Sequence, residues 1–207
     1  HPQKEKQMLE KTLRPQTWSE YLGQEKLKSN LKIIMDAAKQ RGDVLEHLLF
    51  YGNPGLGKTT LAHVIAHEMG VQIKTCGGPA LERAGDVASL LTNLQDGDIL
   101  FLDECHRVSK SVMEMLYSAM EDFQLHLVLG RGPMARTMDL TLPRFTLIGA
   151  TTRIALLSSP LRNRFGAIFQ IDFYEQKDME AITERTAAIL GGGVEQNAVR
   201  LIASRAR

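Results

Sequence analysis

The stretch EHLLFYGNPGLGKTTLAHVIAHEMG, residues 46–70, spells a strand, a loop and a helix in one run. HLLFYG (47–52) is a short apolar run closed by glycine, the length of a buried strand. Leu61, Ile65 and Met69 recur every four residues and make one stripe of a helix. Between them GNPGLGKT (Gly52–Thr59) fits G-x-x-x-x-G-K-[ST] in the strand-to-helix setting that a phosphate-binding P-loop requires. Gly52, Gly55 and Gly57 let backbone N–H groups close around phosphate oxygens at a helix N-terminus. Lys58 offers a cation to β- and γ-phosphates, and Thr59 a hydroxyl to Mg²⁺.

Outward from this unit the hydrophobic period keeps switching. VQIKT (71–75), DILFLD (98–103), FTLIGAT (145–151) and AIFQIDF (167–173) read as four further strands. Helical stripes lie between, at Leu27, Leu31, Ile34 and Ala38 and at Val112, Met115, Leu116 and Met120. The alternation predicts an α/β fold: a five-stranded, mostly parallel sheet with helices on both faces. Residues 123–142 break it with period-two apolar positions (Leu125, Leu127, Leu129, then Met138, Leu140, Leu142) around Gly-Arg-Gly-Pro, an inserted β-hairpin. After Tyr174 the pattern turns helical. The expected organisation is one large domain over 1–173, with the hairpin inside it, and the start of a helical lobe over 174–207.

Composition narrows the class. The chain has 207 residues with 25 basic and 24 acidic side chains, a net charge of +1 that gives no global electrostatic case for nucleic acid. No apolar run approaches the ~18 residues of a membrane span, so a soluble, cytoplasmic protein is expected. Two cysteines, Cys76 and Cys105, suit a reducing compartment. The chain begins HPQKEKQ without an initiator Met or a signal segment, so its first residue reads as other than the native start.

Two more strand ends carry chemistry. ILFLDECH closes with Asp103 and Glu104, where a P-loop nucleoside triphosphatase places a Mg²⁺-coordinating Asp and a carboxylate that activates water. GATTR (149–153) closes the next strand with Thr151 and Thr152, whose hydroxyls could meet the water or the γ-phosphate; a plain strand cap is the alternative. HVIAH sets His63 and His67 one helical turn apart but lacks the Glu of H-E-x-x-H, so zinc is disfavoured. Cys76, Cys105 and His106 read as structural.

LRPQTWSEYLGQ (13–24), the P-loop unit, GDILFLDECHR, LYSAMEDFQL, LPRFTLIGATTR and LLSSPLRNRFG, in this order and spacing, closely resemble the RuvB family of Holliday-junction branch-migration ATPases within the AAA+ superfamily. The resemblance runs from Leu13 to the last residue. It implies ATP or ADP with Mg²⁺ as ligands. Leu13, Arg14 and Pro15, with Tyr21 nearby, correspond to a segment lying on the adenine. Gly55, Lys58, Thr59 and Thr60 correspond to the phosphate site, with Thr59 and Asp103 on Mg²⁺. Asp103 and Glu104 match the catalytic carboxylates, and Thr152, or Thr151, the first sensor. Glu121, Asp122 and Phe123 fall in a tract bordering the nucleotide, as does Tyr174 at the lid. Arg164 corresponds to an arginine finger supplied in trans to a neighbour in a hexameric ring, with Arg162 accessory.

The hairpin corresponds to an insertion that docks a RuvA-type partner, and the resemblance assigns that contact to exposed side chains at Leu125, Leu127, Leu129, Met138 and Leu140. A sheet-edge cover is the plainer reading of the same hairpin. A second-sensor Arg and a DNA-contacting winged helix are expected beyond Arg207, so this stretch is expected to bind and hydrolyse ATP, weakly, without gripping DNA unaided. Two positions depart from the family: Asn53-Pro54 replaces two prolines, and Cys105 replaces an Ile, producing DECH. DECH imitates a superfamily 2 helicase, which would need a second strand-bearing domain after Tyr174. A clamp-loader-like nucleotide switch is the other alternative, and the long hairpin disfavours it. SSPLRNRFG (158–166) is expected on the ligand edge of the sheet, facing away from its own P-loop.

Overall fold

The structure, a computed structural model, describes residues 12–129 and 136–206. In chain order it contains α1 (Glu25–Arg41), β1 (Leu48–Tyr51), α2 (Lys58–Met69), β2 (Ile73–Gly77), α3 (Ala84–Thr92), β3 (Ile99–Asp103), α4 (Lys110–Asp122), β4 (Gln124–Leu129), β5 (Arg136–Thr141), β6 (Thr146–Thr151), α5 (Ser159–Arg162), β7 (Ala167–Gln170), α6 (Gln176–Ile189) and α7 (Gln196–Arg205). Five strands form one sheet in the order β2-β3-β6-β1-β7, and each neighbouring pair is parallel. The P-loop strand β1 is therefore interior, between β6 and the edge strand β7.

Strand alternation sends side chains to two cores. Leu48, Phe50, Phe101 and Ile148 point to the face covered by α1 and α2, where Leu31, Met35, Leu61 and Ile65 are buried. Leu49, Leu100, Leu102 and Leu147 point to the other face, under Val87, Leu91, Val112 and Leu116. Each fully buried aliphatic side chain contributes about 1.5–3 kcal/mol.

The expected strands are all present, with shifted ends. The second begins at Ile73 rather than Val71 because the Val71 N–H is used at the end of α2, donating to Ala66 O at 3.1 Å. Helix α3, whose buried positions are only Val87 and Leu91, had no sequence signal strong enough to read.

The hairpin forms as β4 and β5, paired antiparallel with Leu125 opposite Leu140 and Leu127 opposite Met138. Its Gly-Arg-Gly-Pro turn, and the Leu129 side chain, lie outside the described residues. One expectation fails here. Leu125 is fully buried against Leu116, Leu142 and Phe145, and Leu127 and Leu140 are half-buried against the same cluster. Period two turns this face onto α4 and leaves Val128, 70 % exposed, on the opposite face; Met138, on the same face as Leu127, is 38 % exposed, and these two are the exposed large apolar side chains of the hairpin among the described residues.

After Tyr174 come the helices α6 and α7 rather than strands. Among the described residues no helix is long and apolar enough to cross a membrane.

Candidate functional site

Three glycines shape the loop after β1. Gly55 and Gly57 adopt φ 81° and 87°, and at Gly52 a Cβ would stand 2.5 Å from the Ile171 carbonyl. Helix α2 starts directly at Lys58 with no side chain capping its N-terminus, which leaves the first-turn N–H end open to a phosphate. Lys58 Nζ donates to Gly52 O (2.8 Å) and Asn53 O (2.7 Å). Burial pushes its ammonium below the ordinary lysine range, while Asp103 and Glu104 pull the other way. Thr59 and Thr60 follow half-buried in the first turn.

Asp103 ends β3, and Glu104 turns the chain sharply at φ 49°, ψ 45°, the left-handed region. Its carbonyl lies so close to Gly78 that a Cβ there would approach it to 2.5 Å. Glu104 N donates to Asp103 Oδ1 at 3.0 Å, and Thr152 Oγ1 donates to Glu104 Oε2 at 3.1 Å. The two threonines of GATTR therefore do different things. Thr152 touches the carboxylate, whereas Thr151 is fully buried and accepts from Arg153 N at 3.0 Å.

His106, read from sequence as structural, enters this group. Its Nδ1 lies 2.8 Å from Thr151 Oγ1 and 3.2 Å from Glu104 Oε2. The signal available was its position two residues past the second carboxylate, in a short 3-10 turn that directs it back under the strand ends. Cys105 is buried, and that burial pushes its thiol up to about 12, which leaves it unreactive.

Beside the P-loop opens a cleft of about 200 Å³ lined by Leu13, Pro15, Tyr21, Gly55, Thr60 and Tyr174, and closed on the far side by Met179, Ile182 and Arg185 of α6. The Tyr21 and Tyr174 hydroxyl oxygens are 3.3 Å apart, and Tyr174 donates to Leu56 O at 3.4 Å. Burial raises both phenols, so both stay protonated. Arg14, expected on the adenine, is half-buried and does not line this cleft. Arg185 went unread in the sequence: it donates to Leu13 O at 2.9 Å and pairs with Glu20 at 3.3 Å, tying α6 to the N-terminal segment. Met179, Ile182 and Thr186 at helical spacing were the available signal. A larger cleft, about 520 Å³, runs between α1 and β7 but contains no P-loop residue. The smaller one is the nucleotide candidate because it adjoins Gly55 and Thr60.

Arg164 lies elsewhere. Gly166 N donates to His47 O at 2.8 Å, which sets the arginine loop beside the start of β1, while the P-loop leaves its end. Four residues of strand separate them, about 13 Å of rise at ~3.3 Å per residue. This corrects the expected position on the ligand edge: the tract leaves that edge at Ser158 and returns to the opposite one. Arg164 Nη2 pairs with Glu121 Oε2 at 2.7 Å, its Nη1 donates to Pro160 O at 3.1 Å, and its guanidinium sits 4.6 Å from the Tyr117 ring centre. Its Nε is buried without a hydrogen-bond partner. Arg162 donates to Ser159 Oγ at 3.2 Å. Glu121, Asp122 and Phe123 close α4 at this same end, where Phe123 packs against His47 and Phe145. None of the three lines the cleft at the P-loop.

His47 braces this end. Leu147 N donates to its Nδ1 at 2.8 Å, so its proton is on Nε2, which donates to Met120 O at 3.0 Å.

A parallel sheet with an interior P-loop strand, two carboxylates ending the adjacent-but-one strand and a threonine ending the strand between them defines an AAA+ P-loop nucleoside triphosphatase domain. The family model described as the Holliday junction DNA helicase RuvB P-loop domain matches residues 13–171. The chain belongs to the RuvB family. It is 54 % identical over 206 residues to the Holliday junction branch migration complex subunit RuvB of Thermomicrobium roseum, covering all of this chain and 58 % of that protein. The corresponding protein of Chloroflexus aggregans is 55 % identical over 207 residues, covering all of this chain and 59 % of that protein. The solved structure of the Thermotoga maritima RuvB branch-migration motor superposes with TM-score 0.84 at 47 % identity, over 94 % of this chain and 60 % of that one. The chain thus spans a little under three fifths of the curated relatives it matches.

Proposed function

We propose that this chain is the ATP-hydrolysing domain of a motor that drives Holliday-junction branch migration in the cytoplasm, working as a hexameric ring with a RuvA-type partner. The observation that carries the reading is the separation of Arg164 from Lys58 at opposite ends of one strand. An arginine that cannot reach its own P-loop, and that keeps a buried donor unpaired, suits a phosphate on an adjacent subunit. On this reading Glu121, Asp122 and Phe123 also border the neighbour's nucleotide.

The adenine end of ATP fits the cleft between Leu13, Tyr21 and Tyr174, with Arg185 holding the N-terminal segment against α6. The open N-terminus of α2 receives the phosphates, and Lys58 moves from loop carbonyls to the γ-phosphate. Thr59 and Asp103 suit Mg²⁺, which takes few protein ligands and several from phosphate and water, and which supplies charge neutralisation when bound. Glu104 orients the attacking water and accepts its proton, while Thr152 reports on the γ-phosphate through its hydroxyl. Arg164 from the neighbour stabilises the charge developing on the transferred group, a role worth ~10³–10⁵ in rate. Val128 and Met138, exposed on opposite faces of the hairpin, offer apolar contacts to the partner. The motion of α6 and α7 against the sheet is the stroke. DNA is engaged in the main outside these residues.

The test is ATP turnover and branch migration of a four-way junction with a RuvA-type protein, comparing the parent chain joined to the family's remaining length with its Lys58→Ala variant. Loss of both activities is expected. Migration surviving Lys58→Ala contradicts the proposal.

A further inference from the structure

We propose that His47 is a positioning residue for Arg164: its imidazole locks the last turn of α4, on which the guanidinium lies, to the start of β6, and its carbonyl holds the arginine's own loop. The inference rests on the reading of Arg164 as a finger supplied to a neighbouring subunit.

Arg164 is seated between two pieces of chain. One is α4, where the Tyr117 ring centre lies 4.6 Å from the guanidinium and Glu121, one helical turn further on, pairs with it at 2.7 Å. The other is its own loop, where Nη1 donates to Pro160 O at 3.1 Å. His47 is bonded to both pieces. Its carbonyl accepts from Gly166 N, two residues past the arginine, at 2.8 Å. Its Nε2 donates to the carbonyl of Met120, the residue before Glu121, at 3.0 Å. Nδ1 accepts from Leu147 N at 2.8 Å, so the single proton of the neutral ring has its place on Nε2.

The bond to Met120 stands in for a helix cap. Helix α4 ends on Phe123 at φ 52°, ψ 41°, and among the described residues no backbone N–H of that cap closes onto the helix's last carbonyls. Leu116, Ala119 and Met120 are buried, and Phe123 packs on His47 and Phe145, but apolar contacts are non-directional. They hold the helix down; the hydrogen bond from His47 fixes where its last turn stops. On the loop side the fit is close, since a Cβ on Gly166 would collide with the Glu46 side chain. His47 itself is buried, and it lines one cleft of about 240 Å³ with Phe123, Arg144 and Arg164. Such placement matters because reactions that depend on a positioned group lose on the order of 10²-fold for a 1 Å displacement.

Steady-state ATP turnover in assembled rings, formed by the parent chain joined to the family's remaining length, separates the roles of the two ring nitrogens. His47→Asn reaches only the Nδ1 position, so it keeps an acceptor for Leu147 and loses the bond to Met120. Its kcat should fall about tenfold or more, with KM for ATP close to the parent because the P-loop leaves the far end of β1. His47→Gln carries an amide N–H to the Nε2 position and should recover most of the loss. Equal losses in the two variants, or losses that simply follow their unfolding midpoints, would show a histidine that only supports the fold and would overturn the proposal. Mixed rings locate the defect. His47→Asn chains keep an intact pocket behind a displaced finger, so Lys58→Ala chains should restore turnover and Arg164→Ala chains should not; the reverse pattern overturns the proposal. Nitrogen NMR of the His47 ring needs no variant: a proton on Nε2 is expected, and one on Nδ1 alone overturns it. If Arg164→Ala loses turnover and His47→Asn keeps it, His47 does not position the finger. If Arg164→Ala keeps turnover, the reading of Arg164 fails, and the proposal with it.

Discussion

Arg164 is paired with Glu121 across 2.7 Å on the same subunit, at the end of the sheet opposite the P-loop. The Glu121 side chain is 60 % exposed, and exposed ion pairs contribute only ~0–1 kcal/mol. The pair can therefore hold the guanidinium in place and still release it. Glu121→Gln should change the unfolding free energy in urea by less than about 1 kcal/mol. A loss well beyond that would mean the pair is structural and the arginine is not free to leave it.

The link between Thr152 and Glu104 gives a second expectation. Glu104→Gln keeps the shape and an acceptor for Thr152 but cannot take a proton, so ATP should still bind while hydrolysis falls by ~10²–10⁴. Retained radiolabelled ATP, unhydrolysed after gel filtration, checks it; release as ADP at the parent rate contradicts it.

His47 predicts a pH dependence of stability. Burial lowers its pKa from the ordinary 6.5, against smaller opposing effects of the Met120 carbonyl and Glu46. The unfolded chain then binds the proton more readily than the folded one, so this contribution to stability is complete above pH 6.5 and is lost as pH falls through the folded value. Protonation would also set Nδ1–H against the Leu147 N–H that it now accepts from. Urea titrations between pH 7.5 and 5 should show stability declining from about pH 6.5 downward, and His47→Gln should flatten that decline.

The two faces of the hairpin separate two substitutions. Leu125→Asp places a charge in the core and should cost several kcal/mol, because an unpaired buried carboxylate is not compensated. Val128→Asp lies on the open face and should stay within about 0.5 kcal/mol of the parent, yet weaken capture of a RuvA-type protein. Capture unaffected by Val128→Asp would move the docking surface elsewhere.

The contrast between these two positions shows what the sequence carried and what it did not. Period two placed Leu125 and Leu127 on one face of a hairpin, but it could not say that α4 lies under that face. The same limit applied to the site. Lys58, Asp103, Glu104 and Thr152 were legible because each ends or begins an element at a recognisable spacing. His106 and Arg185 were not, because their partners Thr151 and Leu13 are 45 and 172 residues away. The direction in which the chain doubles back after Ser158 was equally hidden, since it depends on β7 pairing with β1 rather than on any local pattern.

The most direct measurement mixes subunits. Lys58→Ala chains cannot use their own ATP, and Arg164→Ala chains cannot supply a finger. If the arginine acts on a neighbour's phosphate, mixed rings contain interfaces with an intact pocket facing an intact finger, and turnover in the mixture should rise well above the sum of the two variants alone. Turnover no greater than that sum, or normal hydrolysis by Arg164→Ala chains by themselves, would contradict a finger supplied in trans.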